Sequence, residues 1–280
     1  MESKNSETPV QIILPFWETV RRSFLYVFRN RETYVKITAV WFSILLYEMF
    51  TGFPSLCNIS PDGCQGGDWQ YKVALILISF ASVAVVVAYC RNIILKEEPK
   101  KFAFSFGKRE LKYILFNIIF IGIITITAVF SIFVFAYIGQ LLHFPESIFN
   151  LTILIPLALT IYFSRFFLIF PAIAVDDKEM TIKNSYRVTL GNANRIFWGQ
   201  VLMMLPAAAL LILLALLHGL INSDNYIINF IFTGFIFAIS FLDSCLKASF
   251  LSHIYQYFTY FQKNPDQLAK VETTSSQEEK

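Results

Sequence analysis

Histidine, cysteine and charge are all scarce in this chain, and each shortage closes off a class of chemistry. The three histidines, His143, His218 and His253, stand far apart, without ligand spacing and without a neighbouring nucleophile. Neither a metal centre nor histidine-assisted covalent catalysis is therefore expected. The sequence also has no Walker loop, no G-x-G-x-x-G after a strand, no G-x-S-x-G and no H-E-x-x-H. Asp176 and Asp177 are adjacent, so they point in different directions on a helix and suit capping better than acid–base work. No catalytic residue, metal or cofactor is assigned. A net charge of +3 gives none of the electrostatic footprint of a nucleic-acid binder. The first 36 residues lack an apolar core followed by a small-residue cleavage site, so no cleavable secretory signal is expected. Glu2 and Glu7 argue against a mitochondrial transit peptide, which is poor in acids.

Two of the four cysteines, Cys57 and Cys64, share one connection with Pro61, Gly63, Gly66 and Gly67. In an oxidising space they would close a short disulfide ring, worth about 2–3 kcal/mol in the chain-entropy account; two free thiols is the equal alternative. Cys90 and Cys245 fall in or near helices.

What the chain has in abundance is apolar surface. Apolar residues make up 56% of it against 15% charged, the mean hydropathy is +0.56, and thirty residues are Phe. A water-soluble fold would struggle to enclose so many large apolar groups, whereas lipid accepts them without cost. Six apolar stretches follow one another: Ile37 to Phe53, Val73 to Tyr89, Tyr113 to Leu142, Ile148 to Ile173, Ile196 to Leu217 and Tyr226 to Leu246. A hydrocarbon core about 30 Å thick needs about 20 helical residues, so each suffices, the first two marginally and the third with tilt. Backbone groups in lipid must be satisfied within the segment, which makes these runs helices. The expected fold is all-α: a polytopic bundle of six transmembrane helices (37–262), preceded by a cytosolic segment with an interfacial helix (1–36) and followed by a disordered tail (263–280).

Orientation follows from Lys and Arg. Six lie up to Lys36, seven from Arg91 to Lys112, five from Arg165 to Arg195 and four from Lys247 onward, leaving only Lys72 on the other side. Both termini are thus expected in the cytosol and the chain in the cell inner membrane. Trp69, Tyr71 and Trp198 stand where interfacial anchors belong, and Pro156 and Pro206 are expected to kink their helices. Phe16 to Asn30 puts Phe16, Val20, Phe24, Val27 and Phe28 on one face, predicting an amphipathic helix lying on headgroups. The connection 176–194 reads as a short helix capped by Asp176 or Asp177 and ended by Gly191.

Helical arithmetic picks out a polar layer. Arg165 and Asp243 each lie 17 residues past the outer start of a span, about 25 Å in, while Asn117 and Gln200 enter about 6 Å from the inner edge. Arg91 closes the second span nearby. One reading pairs Arg165 with Asp243 between helices and lets the five residues line a recess for a headgroup or anion. The other lets Arg165 snorkel and pairs Asp243 with Lys247 one turn on.

The stretch Arg165 to Trp198, with Arg165, Pro171, Ala172, Ser185, Tyr186, Arg187, Thr189, Gly191 and Asn192, resembles the polytopic membrane domain that accompanies some bacterial glycerophosphoryl diester phosphodiesterases, and related stand-alone bacterial membrane proteins. The preceding connection, RNIILKEEP and GKRELKY, is similar too. The resemblance implies a membrane module without the phosphodiesterase activity, whose His and Glu-rich motif is absent. The expected role is non-enzymatic, with the bilayer, phospholipid headgroups or another membrane protein as partner; the alternative is a small transporter or lipid-modifying enzyme with an interhelical site.

Overall fold

The computed structural model describes residues 12–51, 68–98, 107–141, 154–221 and 226–263. The Cys57 and Cys64 loop, His143 and the tail beyond Lys263 lie outside the described residues, as do the side chains of Trp69 and Tyr71. The described residues form helices and their connections, with no strand among them. In chain order these are α1 (Phe16–Arg29), α2 (Arg31–Thr51), α3 (Asp68–Leu95), α4 (Lys108–Leu141), α5 (Leu154–Phe163), a 3-10 turn (Ser164–Phe166), α6 (Ile169–Ala174), α7 (Ile182–Val188), α8 (Ala193–Ile221) and α9 (Tyr226–Lys263).

Among the described residues, four helices contain segments long and apolar enough to cross a membrane: Ile76–Leu95, Lys108–Ile138, Ala193–Ile221 and Ile227–Phe261. Their outward faces carry bare hydrocarbon. Ile126 and Phe133 on α4 are each 71% exposed and Leu220 on α8 is 82% exposed. A contiguous apolar surface of this kind is a liability in water and the ordinary lipid-facing side of a membrane helix. The stretch Ile37 to Phe53 is less uniform. It falls mostly on α2, which also carries Arg31, Glu32 and Lys36 in its first two turns, with Lys36 and Glu32 paired at 2.6 Å.

Two stretches differ from the sequence expectation in ways that shape the site. Ile148 to Ile173 is not one helix: its described part consists of α5, the 3-10 turn and α6. Pro171 has no N–H to donate to the Phe167 carbonyl, and that carbonyl takes a shorter-range bond from the Phe170 N–H at 3.2 Å. The Ser164 hydroxyl reinforces the break by donating to the Ile161 carbonyl (2.6 Å) and across to the Ala193 carbonyl at the start of α8 (2.9 Å). The other stretch, Tyr226 to Leu246, does not stop at Leu246, because α9 continues to Lys263. Its extension is polar in sequence, yet two of its polar groups find partners on neighbouring helices. The Ser249 hydroxyl donates to the Ser23 carbonyl (3.2 Å) and the Gln256 amide to the Ile93 carbonyl (2.9 Å). Satisfied in this way, buried polar side chains cost little.

The extended α9 is the axis of the molecule, packing against α1, α2, α3, α6 and α8. Phe241, Cys245, Phe250, Ile254 and Phe258 of α9 are buried beside Val85, Tyr89 and Cys90 of α3. Contact with α8 is close at Gly199, where a Cβ would stand 1.8 Å from Phe250 Cζ. The segment expected to be amphipathic forms a helix, α1, with Val20 and Val27 buried and Phe16 and Phe24 packed on the core, while Phe28 is exposed. What covers its buried face is protein: α1 lies against α9, and Thr19 and Ser23, which the apolar pattern leaves out, belong to that face.

Candidate functional site

The polar groups concentrate at the end of the bundle where α3 ends, α4 and α8 begin, and the segment from the 3-10 turn to α7 lies. Arg91, near the end of α3, is its hub and is 16% exposed. Its Nε donates to Glu97 Oε2 at 2.9 Å, its Nη2 meets Glu97 Oε1 at 2.5 Å, and its Nη1 donates to the Ala174 carbonyl at 3.1 Å. Glu97 reaches back because Lys96 adopts a left-handed conformation (φ 56°) that folds the chain over the end of α3. Asp176, also left-handed (φ 58°), follows α6; its carboxylate pairs with Arg109 of α4 and lies 3.9 Å from Arg91. Its expected capping role is corrected accordingly. The residue that caps α7 is Thr181, whose hydroxyl accepts from the Asn184 N–H at 3.2 Å. Asp177 accepts from the Glu179 N–H (2.8 Å) and from the Tyr255 hydroxyl of α9. Gly191, three residues past the last residue of α7, is left-handed (φ 79°), as a helix-terminating glycine should be.

Asn192 is 1% exposed and fastens the N-terminal segment to the bundle. Its amide oxygen accepts from the Leu14 N–H (2.9 Å) and its amide nitrogen donates to the Ile12 carbonyl (2.6 Å), imitating a neighbouring strand. Arg195 adds a bond to the Leu14 carbonyl (2.7 Å) and Tyr257 one to the Ile13 carbonyl (2.9 Å). Tyr26 of α1 donates to Asn92 Oδ1 at 2.8 Å, and burial raises its pKa, which keeps the phenol a neutral donor.

Arg165 sits in the 3-10 turn between aromatic rings. Its guanidinium carbon is 5.6 Å from the Tyr162 ring centre and 5.1 Å from that of Tyr186, and Nη1 donates to the Tyr186 hydroxyl at 3.0 Å. Its carbonyl is held by the hydroxyls of Ser185 (2.7 Å) and Thr189 (3.1 Å).

Arg165 and Asp243 are not bonded to one another. Asp243 Oδ2 is 2.6 Å from Lys247 Nζ, one turn along α9, which corrects the interhelical pairing. The local partner wins because it shares a helix face and reaches the carboxylate without any rearrangement between helices. Three of the five layer residues nevertheless keep a buried polar atom without a partner: Arg165 Nε, Gln200 Nε2 and Asp243 Oδ1. Asn117 is partly buried and makes no hydrogen bond among the described residues. Sequence reasoning assigned Glu97, Arg109 and Tyr162 no role of their own, suggested Asp176 only as a helix cap, and marked Tyr186 and Asn192 only as part of the family-like stretch. Only the spacing of Tyr162 and Arg165, three apart on a helix, signalled a contact beforehand. Set against protein-family models, curated proteins and solved structures, the chain matches none of them.

Proposed function

We propose that the chain is a non-enzymatic, six-span protein of the cell inner membrane, with both termini in the cytosol, that binds a lipid headgroup or a partner protein at its cytosolic face. The observation that carries this reading is the cross-braced polar end of the bundle. The Arg91, Glu97, Arg109 and Asp176 cluster, the Asp177–Tyr255 bond and the Asn192 clamp tie α3, α4, α6, α8, α9 and the N-terminal segment together. A surface assembled from so many elements and fixed through side-chain bonds is pre-organised for recognition, since little ordering entropy is left to lose on binding. The same end gathers Arg91, Arg109, Arg165 and Arg195, the positive charge that places a loop in the cytosol and attracts anionic headgroups. The resemblance of Arg165 to Trp198 to the membrane module found beside phosphodiesterases implies a membrane module without hydrolysis, which agrees with the non-enzymatic part of this reading.

A transporter or lipid-modifying enzyme with a site between helices is the second reading, favoured by the unpartnered Arg165 Nε, Gln200 Nε2 and Asp243 Oδ1. Two measurements test the first. Cysteines placed at Ser6 and Ser276 should react with impermeant thiol reagents only from the cytosolic side; labelling of both from outside overturns the topology. Mass spectrometry of the purified protein should find a lipid class enriched over the bulk membrane, and a composition equal to the bulk, without a co-purifying protein, removes the binding role.

A further inference from the structure

Among the described residues, four cationic side chains are partly buried: Lys36, Arg91, Arg165 and Lys247. Lys36 has Glu32, Arg91 has Glu97 and Asp176, and Lys247 has Asp243. Arg165 has no carboxylate. Its charge faces two aromatic rings and one phenol oxygen, which solvate a cation without neutralising it. Of its five N–H donors, the one on Nε is buried with no acceptor at all. An arginine that merely snorkelled would lay its stem along lipid and hold its nitrogens in water. Here the Nε edge of the guanidinium is buried beside the aromatic rings, and its N–H is left without an acceptor.

We infer that Arg165 is an anion-binding residue, taking one phosphate group, and that the phosphate is that of an anionic phospholipid. A phosphate oxygen supplies both missing things, an acceptor for Nε–H and a countercharge, and a guanidinium matches phosphate geometry better than any other side chain. The site is held rigidly. The Arg165 carbonyl accepts from Ser185 and Thr189, and the adjacent Ser164 is tied to Ala193 at the start of α8. Two half-exposed aromatics, Tyr162 at 48% and Trp198 at 52%, lie on the elements that this junction joins and suit the depth of lipid headgroups.

The inference rests on the headgroup-binding reading proposed above, and the experiment separates the two. The full-length protein, purified in neutral detergent, is titrated with phosphatidylglycerol, phosphatidylcholine or inorganic phosphate while its thermal unfolding midpoint is followed. Phosphatidylglycerol should raise the midpoint and phosphatidylcholine should not. For Arg165→Gln the concentration of phosphatidylglycerol needed should rise about ten- to a hundredfold, the loss expected for charge-assisted hydrogen bonds. Arg165→Lys, which keeps the charge and loses the fork, should fall between, and serves if the Gln variant does not fold. Arg29→Gln removes an equal charge from an exposed site and should respond as the wild type does. Inorganic phosphate that reproduces the stabilisation identifies a soluble phosphate as the ligand and overturns the lipid assignment while keeping the site. Unchanged responses in both Arg165 variants, or an equal loss in Arg29→Gln, overturn the site and leave lipid binding by the platform intact. No stabilisation of the wild type by either phosphatidylglycerol or inorganic phosphate overturns both the site and headgroup binding by the platform.

Discussion

Replacing Gly199 with alanine adds a single methyl group, and the structure gives that group no room. A Cβ there would stand 1.8 Å from Phe250 Cζ and 2.5 and 2.7 Å from its two Cε atoms. Carbon atoms in contact keep about 3.5–4.0 Å, so the ring or one helix must retreat by about 2 Å. Phe250 is fully buried, and its ring is packed on all sides. Overpacking of a close-packed interior costs about 1–3 kcal/mol, and a clash against a rigid ring between two long helices belongs at the upper end. The assay is thermal or denaturant unfolding in one fixed detergent, for Gly199→Ala, Phe250→Leu and the double variant. Each single change should destabilise, the first by overpacking and the second by loss of buried ring surface. The double variant should be more stable than the sum of the two predicts, because the leucine vacates the space that the methyl needs. A Gly199→Ala protein as stable as the wild type, with strictly additive effects in the double variant, would refute the close approach of α8 and α9.

Asn192→Ala leaves the buried Leu14 N–H without its partner, about 1–3 kcal/mol, and the part-buried Ile12 carbonyl as well, so limited proteolysis should cut near residues 12–14 faster than in the wild type while the helices stay intact. Equal rates would mean that the clamp contributes nothing. Arg91→Ala should destabilise more than Arg109→Ala, since Arg91 is 16% exposed and Arg109 is 48% exposed although both face Asp176; unfolding in detergent ranks them, and equal losses would make Arg91 an ordinary surface cation. On α9, Lys247→Ala should cost as much as Asp243→Ala, and exchanging the two residues should restore most of the loss, which a partner elsewhere would not permit.

Composition and periodicity determined that this is a chain of long apolar helices, because an apolar run of about 20 residues has one way to satisfy its backbone in lipid and that way is local. They also determined the left-handed turn at Gly191, which only the residue's own backbone governs. Counting residues along a helix assigned Arg165, Gln200 and Asp243 a depth, and in the structure each is partly buried. What those side chains touch was decided by tertiary structure alone. Arg91 meets the Ala174 carbonyl and Asp176, more than eighty positions away in the chain, and no periodicity within α3 encodes either. The length of α9 was hidden because Ser249, Ser252, His253 and Gln256 look like a polar exit from the membrane. The helix continues because α1 and α3 are there to receive it, with Ser249 on the Ser23 carbonyl and Gln256 on the Ile93 carbonyl. The break before α6 was legible only in part: Pro171 marks it locally, but the Ser164 hydroxyl is committed to Ala193 only after α8 has folded back against the turn.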